Sequence, residues 1–206
     1  MSQYFKIHPE TPQSRLIRQA ADMIREGGVI VHPTDSGYAL GCRLGDKSAL
    51  ERIIRIRRLD DKHHFTLMCR DLSEFSTYAT IDTPAFRLLK ANTPGSYTFI
   101  LRATKEVPRR LMHPKQKTIG LRIPSHPVSL ALLAELNEPI LTTSMIFPGE
   151  TNPPNDAETI ADLLKNQVEL VIDSGSCGII PTSMIDLREN QPVILREGKG
   201  DLTPFH

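Results

Sequence analysis

The order of residue types between positions 11 and 37 constrains this chain more than any other feature. Leu16, Ile17, Ala20, Ala21 and Ile24 recur at helical spacing. Thr11 stands where an N-cap belongs, Pro12 suits the first helical position, and Gly27-Gly28 ends the pattern. Val29-Ile30-Val31 follows, a short apolar run that fits a strand buried on both faces. Such a strand requires a covering layer on each side, so the chain reads as α/β. Pro33-Thr34-Asp35-Ser36-Gly37 comes directly after it. Ligands of open sheets gather beyond the carboxyl ends of strands. The alternative is a plain turn, with Asp35 and Ser36 bonding local backbone.

Further strands are expected at Phe65–Cys69, Tyr97–Leu101, Thr118–Ile123, Pro139–Thr143, Val168–Asp173, Ser183–Leu187 and Pro192–Arg196. Helices are expected at Ser48–Arg58, Pro84–Ala91, Val128–Leu136 and Asp156–Lys165, the last with Asn155 and Glu158 in capping-box spacing. Strands outnumber helices and alternate with them imperfectly. The expectation is one domain: a twisted, open, mixed sheet with flanking helices. The Pro- and Gly-bearing stretch from Ser144 to Pro154 reads as a long loop, a common site of binding. At 206 residues, with no repeat and no Gly/Ser linker, a second domain is not needed.

Composition removes several function classes. A net charge of +1 argues against a wholesale nucleic-acid coat and leaves room for a local basic groove. Arg52, Arg55, Arg57, Arg58 and Lys62 form one candidate segment, and Arg109, Arg110, Lys115, Lys117 and Arg122 another. Cys42, Cys69 and Cys177 are too scattered for a disulfide framework or a metal site and are expected as buried free thiols. His63-His64 lacks the spacing of a helical metal pair, and no protein-bound metal is expected. No apolar run approaches the roughly 20 residues of a membrane span, and no secretory leader opens the chain, so a cytoplasmic location without membrane contact is expected. P-loop, Rossmann and nucleophile-elbow motifs are absent.

What remains is cationic and hydroxylic. Arg57 falls seven residues after Leu50 and continues the stripe of Leu50, Ile53 and Ile54, so it needs either an anionic partner or a wet head group. Arg55 and Arg57 diverge on an ideal helix and share a face in extended chain, so a shared ligand requires the helix to end near Arg55. Alternation puts Thr118, Gly120 and Arg122 on one strand face, with Gly120 leaving room for a ligand. Thr142-Thr143-Ser144, Pro181-Thr182-Ser183 and Arg196 stand at strand ends. This inventory suits an anionic ligand and transfer between bound molecules.

Taken in order, these segments resemble the YrdC/YciO family. The resemblance rests on Pro33-Thr34-Asp35-Ser36-Gly37-Tyr38-Ala39-Leu40-Gly41-Cys42, Arg55-Ile56-Arg57, Thr93 to Phe99, Gly120 to Pro127 and Leu195-Arg196-Glu197-Gly198. Phe65 to Leu72 and Lys105 to Arg110 point to the YciO branch. The resemblance implies a domain over residues 13–206 with residues 1–12 as an extension, and a concave, positively charged surface. It implies synthesis of threonylcarbamoyl-adenylate from L-threonine, bicarbonate and ATP, which feeds the t6A modification of tRNA. It also implies binding of double-stranded RNA. Carried over by position, Arg55, Arg57, Thr118, Ser144 and Arg196 would bind ATP, and Ser36, Arg122, Thr142 and Ser183 would bind threonine. Mg²⁺ would arrive with ATP. The chain departs from the family's K-x-R and S-x-N pattern, with Arg55 for Lys and Ser144-Met145-Ile146 lacking the Asn. Weak synthesis is therefore one expectation, and a non-catalytic RNA-binding protein of RNA or ribosome maturation is the other.

Overall fold

The computed structural model describes residues 1–206. Helix α1 (Ser14–Arg25) leads into β2 (Ile30–Thr34), which turns back through Asp35-Ser36 into β3 (Gly37–Arg43). Thr34 pairs with Gly37 across that hairpin. Gly37 has φ 119°, where a side chain is strained, and a Cβ there would lie 3.0 Å from Pro153 Cγ and 3.1 Å from Gly178 O. Helix α2 (Lys47–Arg57) is capped by Asp46, whose carboxylate accepts from Ala49 N at 2.9 Å. It ends where Arg58 adopts a left-handed conformation with φ 50°. The remaining strands are β1 (Gln3–Lys6), β4 (Thr66–Met68), β5 (Ala79–Thr80), β6 (Tyr97–Ala103), β7 (Thr118–Arg122), β8 (Ile140–Ser144), β9 (Leu170–Asp173), β10 (Ser183–Asp186) and β11 (Val193–Arg196). Helices α3 (Leu72–Tyr78), α4 (Thr83–Asn92), α5 (Pro127–Leu136) and α6 (Ala157–Leu164) complete the set.

The strands form one mixed sheet in the order β1-β9-β2-β3-β8-β4-β7-β6-β10-β11, with β5 attached beside β6. Its two faces are covered unequally. Leu40, Cys42, Leu67, Leu121, Leu141 and Phe99 belong to a core cluster of 34 buried residues that takes in α2, α4 and α6. Ile30, Met68, Ile140, Leu170 and Ile172 face the other way, into a cluster of 14 with α1 and α5. Helices α1 and α5 cover only part of that second face. Beyond them the same strands present Thr66, Thr98, Gly120 and Thr142, and the site lies over this uncovered stretch.

Several expectations need correction. Residues 1–12, expected as an extension, pack onto the sheet: β1 pairs in parallel with β9, and Ile7 is buried in the smaller cluster. The α1 N-cap is Gln13, without a side-chain cap bond, because Thr11 folds back so that its N–H donates to His8 Nδ1 at 3.1 Å. Pro12 therefore precedes the helix. Asp156, not Asn155, caps α6, through bonds to Glu158 N and Thr159 N. Strand β3 and helix α3 were not anticipated. The Gly-Tyr-Ala-Leu-Gly-Cys sequence of β3 has small residues where periodicity would be sought, and α3 has only 7 residues. The three thiols are free and buried. No helix is long and apolar enough to cross a membrane.

If residues 1–12 belong to the fold, a single truncation there should be costly. Ile7→Ala removes a side chain that is 2% exposed and should lower the free energy of unfolding by about 2–5 kcal/mol. Urea denaturation measures this; a loss below about 0.5 kcal/mol, the range of a neutral surface change, would show that the segment adds little to the stability of the fold.

Candidate functional site

Two adjoining cavities open on the uncovered part of the sheet. The first, about 150 Å³, is polar. It is lined by Arg122 and Arg196, by eight Ser or Thr side chains including Ser36, Thr98, Thr142 and Ser144, and by His63 and His64. No carboxylate lines it. The second, about 230 Å³, is more apolar, with Phe65, Ile100, Leu111, Ile119 and Leu195 in its wall and His113, Gln116 and Thr118 among its polar groups. The two share His64, Thr66, Thr98 and Met184, so they are lobes of one cleft.

Strand alternation builds the floor. On β7, Thr118, Gly120 and Arg122 face the cleft while Leu121 enters the large core, as the alternation predicts; Ile119 belongs to that core and also borders the apolar lobe. A Cβ on Gly120 would meet Thr66 Oγ1 and Thr98 Cγ2, both at 3.3 Å, so glycine keeps the floor low. Thr66 and Thr98 come from β4 and β6, each a hydroxyl set beside apolar residues of its strand.

Arg122 anchors the polar lobe. Its side chain is 8% exposed and forms an ion pair with Asp35, which is 6% exposed. Its Nη1 donates to Ser36 Oγ at 3.1 Å. Asp35 Oδ2 accepts from Ser96 Oγ at 2.8 Å and Ser125 Oγ at 3.3 Å, and Lys199 Nζ bonds its backbone carbonyl. Burial pushes the Arg122 guanidinium below its ordinary value, and the Asp35 charge opposes that. A buried pair of this kind costs about 3–5 kcal/mol when one partner is removed, so Asp35 and Arg122 are bound to each other's presence. Asp35 was weighed only as a turn or ligand residue; its part is to hold Arg122.

The other proposed site residues divide into three groups. Ser36, Thr142, Ser144 and Arg196 line the polar lobe and Thr118 the apolar one. Arg196 donates to Thr182 O and Thr182 Oγ1, both at 3.0 Å, and has no carboxylate partner. Arg57 sits just outside the lining. Its Nη1 donates to Thr143 Oγ1 at 3.2 Å and to Ser144 O, and its buried Nε has no partner. Arg55 and Ser183 do not reach the cleft. Because α2 continues helically through Arg57, Arg55 points to an exposed groove with Arg52, Asn166 and Gln167. Ser183 is fully buried; its Oγ donates to Gly200 O at 2.7 Å and accepts from Gly198 N at 3.1 Å. It fixes the segment after β11 and presents nothing to a ligand.

Sequence reasoning missed Thr66, Thr98, His63 and His64 as lining residues. The first two carried a signal, a lone hydroxyl at every second position of an apolar strand. The histidines carried none, since the loop between α2 and β4 has no period to read. The loop after β8 is stapled to the segment after β9 by Asn155, whose Oδ1 accepts from Cys177 N at 3.1 Å and Gly178 N at 2.9 Å, and whose Nδ2 donates to Ser176 Oγ at 2.5 Å.

The molecule is thus an α/β protein with a partly covered mixed sheet that carries an arginine- and hydroxyl-lined, acid-free cleft. A family model described as "Telomere recombination", for Sua5, YciO and YrdC proteins, matches residues 22–198, and the chain belongs to that family. It is 60% identical over 205 residues to YciO of Escherichia coli (strain K12), with both chains covered in full. The crystal structure of E. coli YciO superposes with a TM-score of 0.95 over the whole of both chains. A threonylcarbamoyl-AMP synthase of Pyrococcus abyssi is 30% identical over 184 residues, 88% of this chain and 54% of that one. The structure of P. abyssi Sua5 complexed with L-threonine gives a TM-score of 0.87 at 28% identity, covering 96% of this chain and 58% of the other.

His32 on β2 yields a test of the buried structure behind the cleft. It is fully buried, its Nδ1 lies 3.3 Å from Pro33 O, and its Nε2 has no partner. Burial holds its pKa at about 4, against 6.5 for an ordinary histidine. Between those values the unfolded chain binds the proton and the folded one does not, so stability falls as pH drops from about 6.5 to about 4. The loss from His32 should be about 3 kcal/mol. Urea unfolding from pH 7 to 4 should show a smaller loss in His32→Gln than in the unaltered protein; equal slopes would refute the assignment.

Proposed function

We propose that the cleft binds ATP and a small amino acid of threonine's kind and supports threonylcarbamoyl-adenylate synthesis at low rate. The observation that carries this reading is the polar lobe itself: two arginines, eight Ser or Thr side chains and no acid in one cavity. Kinship with synthases adds weight. In the reaction, the threonine amine and bicarbonate give a carbamate and water. A carbamate oxygen then bonds the α-phosphorus of ATP, the bond from that phosphorus to the β-phosphate oxygen breaks, and pyrophosphate leaves. Positioning and electrostatics carry most of such a transfer.

The geometry supports the following roles. Arg122 offers five N–H donors, of which one meets Asp35 and one Ser36; the others remain for the amino-acid carboxylate. Ser36 and Thr142 flank that position, and Arg196 and Ser144 face the phosphates. The base occupies the apolar lobe beside Thr118. Mg²⁺ would be brought by the nucleotide.

Ile146 limits the rate. Its backbone N–H donates to Ser144 O at 3.0 Å and its side chain offers no amide. Restoring a polar partner is worth roughly 1–3 kcal/mol, which is about ten- to a hundredfold in rate. Pyrophosphate release from ATP should require threonine and bicarbonate together and should rise by about that factor in Ile146→Asn. Release indifferent to threonine would overturn the reading.

One observation favours a second reading, RNA binding. Arg109, Arg110, Lys115 and Lys117 are exposed on the segment that supplies Leu111, His113 and Gln116 to the apolar lobe. Other charges of the basic segments are engaged: Arg110 pairs with Glu51 at 3.5 Å, Arg52 with Glu169 at 2.9 Å, Arg57 bonds Thr143, and Arg122 is buried. Duplex RNA would then be gripped through phosphates, with affinity falling steeply with salt. Arg109→Ala with Arg110→Ala should lower the log–log salt slope by about 1 per lost contact. Binding insensitive to salt would remove this reading.

A further inference from the structure

Arg57 is a half-buried cation without a carboxylate partner. The nearest groups to its guanidinium are the Thr143 hydroxyl and the Ser144 carbonyl, and Nε meets neither. Leaving such a cation short of an anion is costly. The cleft lies on the far side of Thr143, yet Arg57 does not line it; His63 does.

His63 is held there by two contacts. Its Nε2 lies 2.9 Å from Thr143 Oγ1, the same hydroxyl that accepts from Arg57. Its ring meets Phe65 edge-on, at 5.0 Å between centroids. Because Thr143 accepts from Arg57, its own proton is free to go to His63, giving a chain from guanidinium to hydroxyl to imidazole. That chain needs a neutral ring. Burial, then the neighbouring Arg57 charge, holds His63 to a pKa of about 4, so the ring is neutral at physiological pH. His64, next in sequence, stacks on His113 with centroids 5.2 Å apart. The loop between α2 and β4 thus crosses the cleft and is fastened to both walls.

We propose that His63 is the specificity-determining residue of the cleft: in place, it closes a phosphate subsite at Arg57, and an anion that reaches Arg57 must displace it from Thr143. A compact carboxylate fits the polar lobe as it stands. A diphosphate or longer chain needs the added cation behind the ring. The inference deepens the nucleotide reading and rests on it for its biological meaning, but the subsite itself is defined by inorganic anions alone.

Inorganic pyrophosphate is therefore the probe, followed by calorimetry on the full chain without nucleotide or amino acid. Removing the imidazole deletes one hydrogen bond that the anion would otherwise have to break, so His63→Ala should tighten pyrophosphate binding about three- to tenfold. His63→Gln, which can still accept from Thr143, should stay near the unaltered protein. Arg57→Ala combined with His63→Ala should erase the gain. An unchanged affinity in His63→Ala, or a gain that survives the loss of Arg57, would overturn the proposal. A readout without mutation guards against misfolding of the variants. The nitrogen resonances of His63 should lose their hydrogen-bonded signature as pyrophosphate saturates the protein; an undisturbed signature at saturation would also overturn it. Failure here leaves the threonine-dependent release of pyrophosphate from ATP free to succeed, and failure of that reaction leaves the anion result standing.

Discussion

The unequal covering of the sheet is the constraint on which the rest depends. One face is sealed by a core of 34 residues that includes α2, α4 and α6. The other is sealed only where α1 and α5 rest on β2, β8 and β9. Strands with the same alternation therefore end up half under helices and half in the open. Met68 and Ile140 lie on the face that also carries Thr66 and Thr142, one pair packed and the other wet. The cleft needs no dedicated domain or lid element to exist. It is what remains when two helices are too short to finish a layer.

Within that opening, charge is managed by depth. Arg122 lies deepest and is matched by Asp35, which in turn gathers two serine hydroxyls. Arg196 lies at the rim with neutral partners only. Hydroxyls fill the space between. Neutral hydrogen bonds hold Arg196 still and leave its charge uncancelled, which is the condition for strong attraction to an anion in a partly dehydrated space. Ile146 and the His63 ring both stand on the β8 side of this arrangement.

The sequence made part of this legible. The apolar run before Pro33 and the Thr-Gly-Arg alternation of β7 led directly to the central strand and the cleft floor, because both are periodic and local. The same local logic failed for β3, whose glycines and alanine hide a seven-residue strand, and for residues 3–6, whose pairing partner β9 lies far along the chain. It misread Ser183, since a buried serine and a ligand-binding one look alike until Gly198 and Gly200 come into view. It misread Arg55, because helical residues two apart face different ways and the helix runs two residues further than a shared ligand allows. His63 was beyond it altogether: its meaning comes from Thr143, 80 residues further along the chain.

Asn155 has a mechanical consequence. One amide joins the backbone of Cys177 and Gly178 to the loop that follows β8, and Pro153 of that loop rests against the β2–β3 turn at Gly37. The two loops form a single stiff flap with one rivet. Motion in either is motion in both, so relaxation rates measured along 145–155 and 174–180 should rise and fall together. A ligand that touches only Pro181 would then stiffen Pro153 as well, and the cleft would feel its contents through a segment that never meets them.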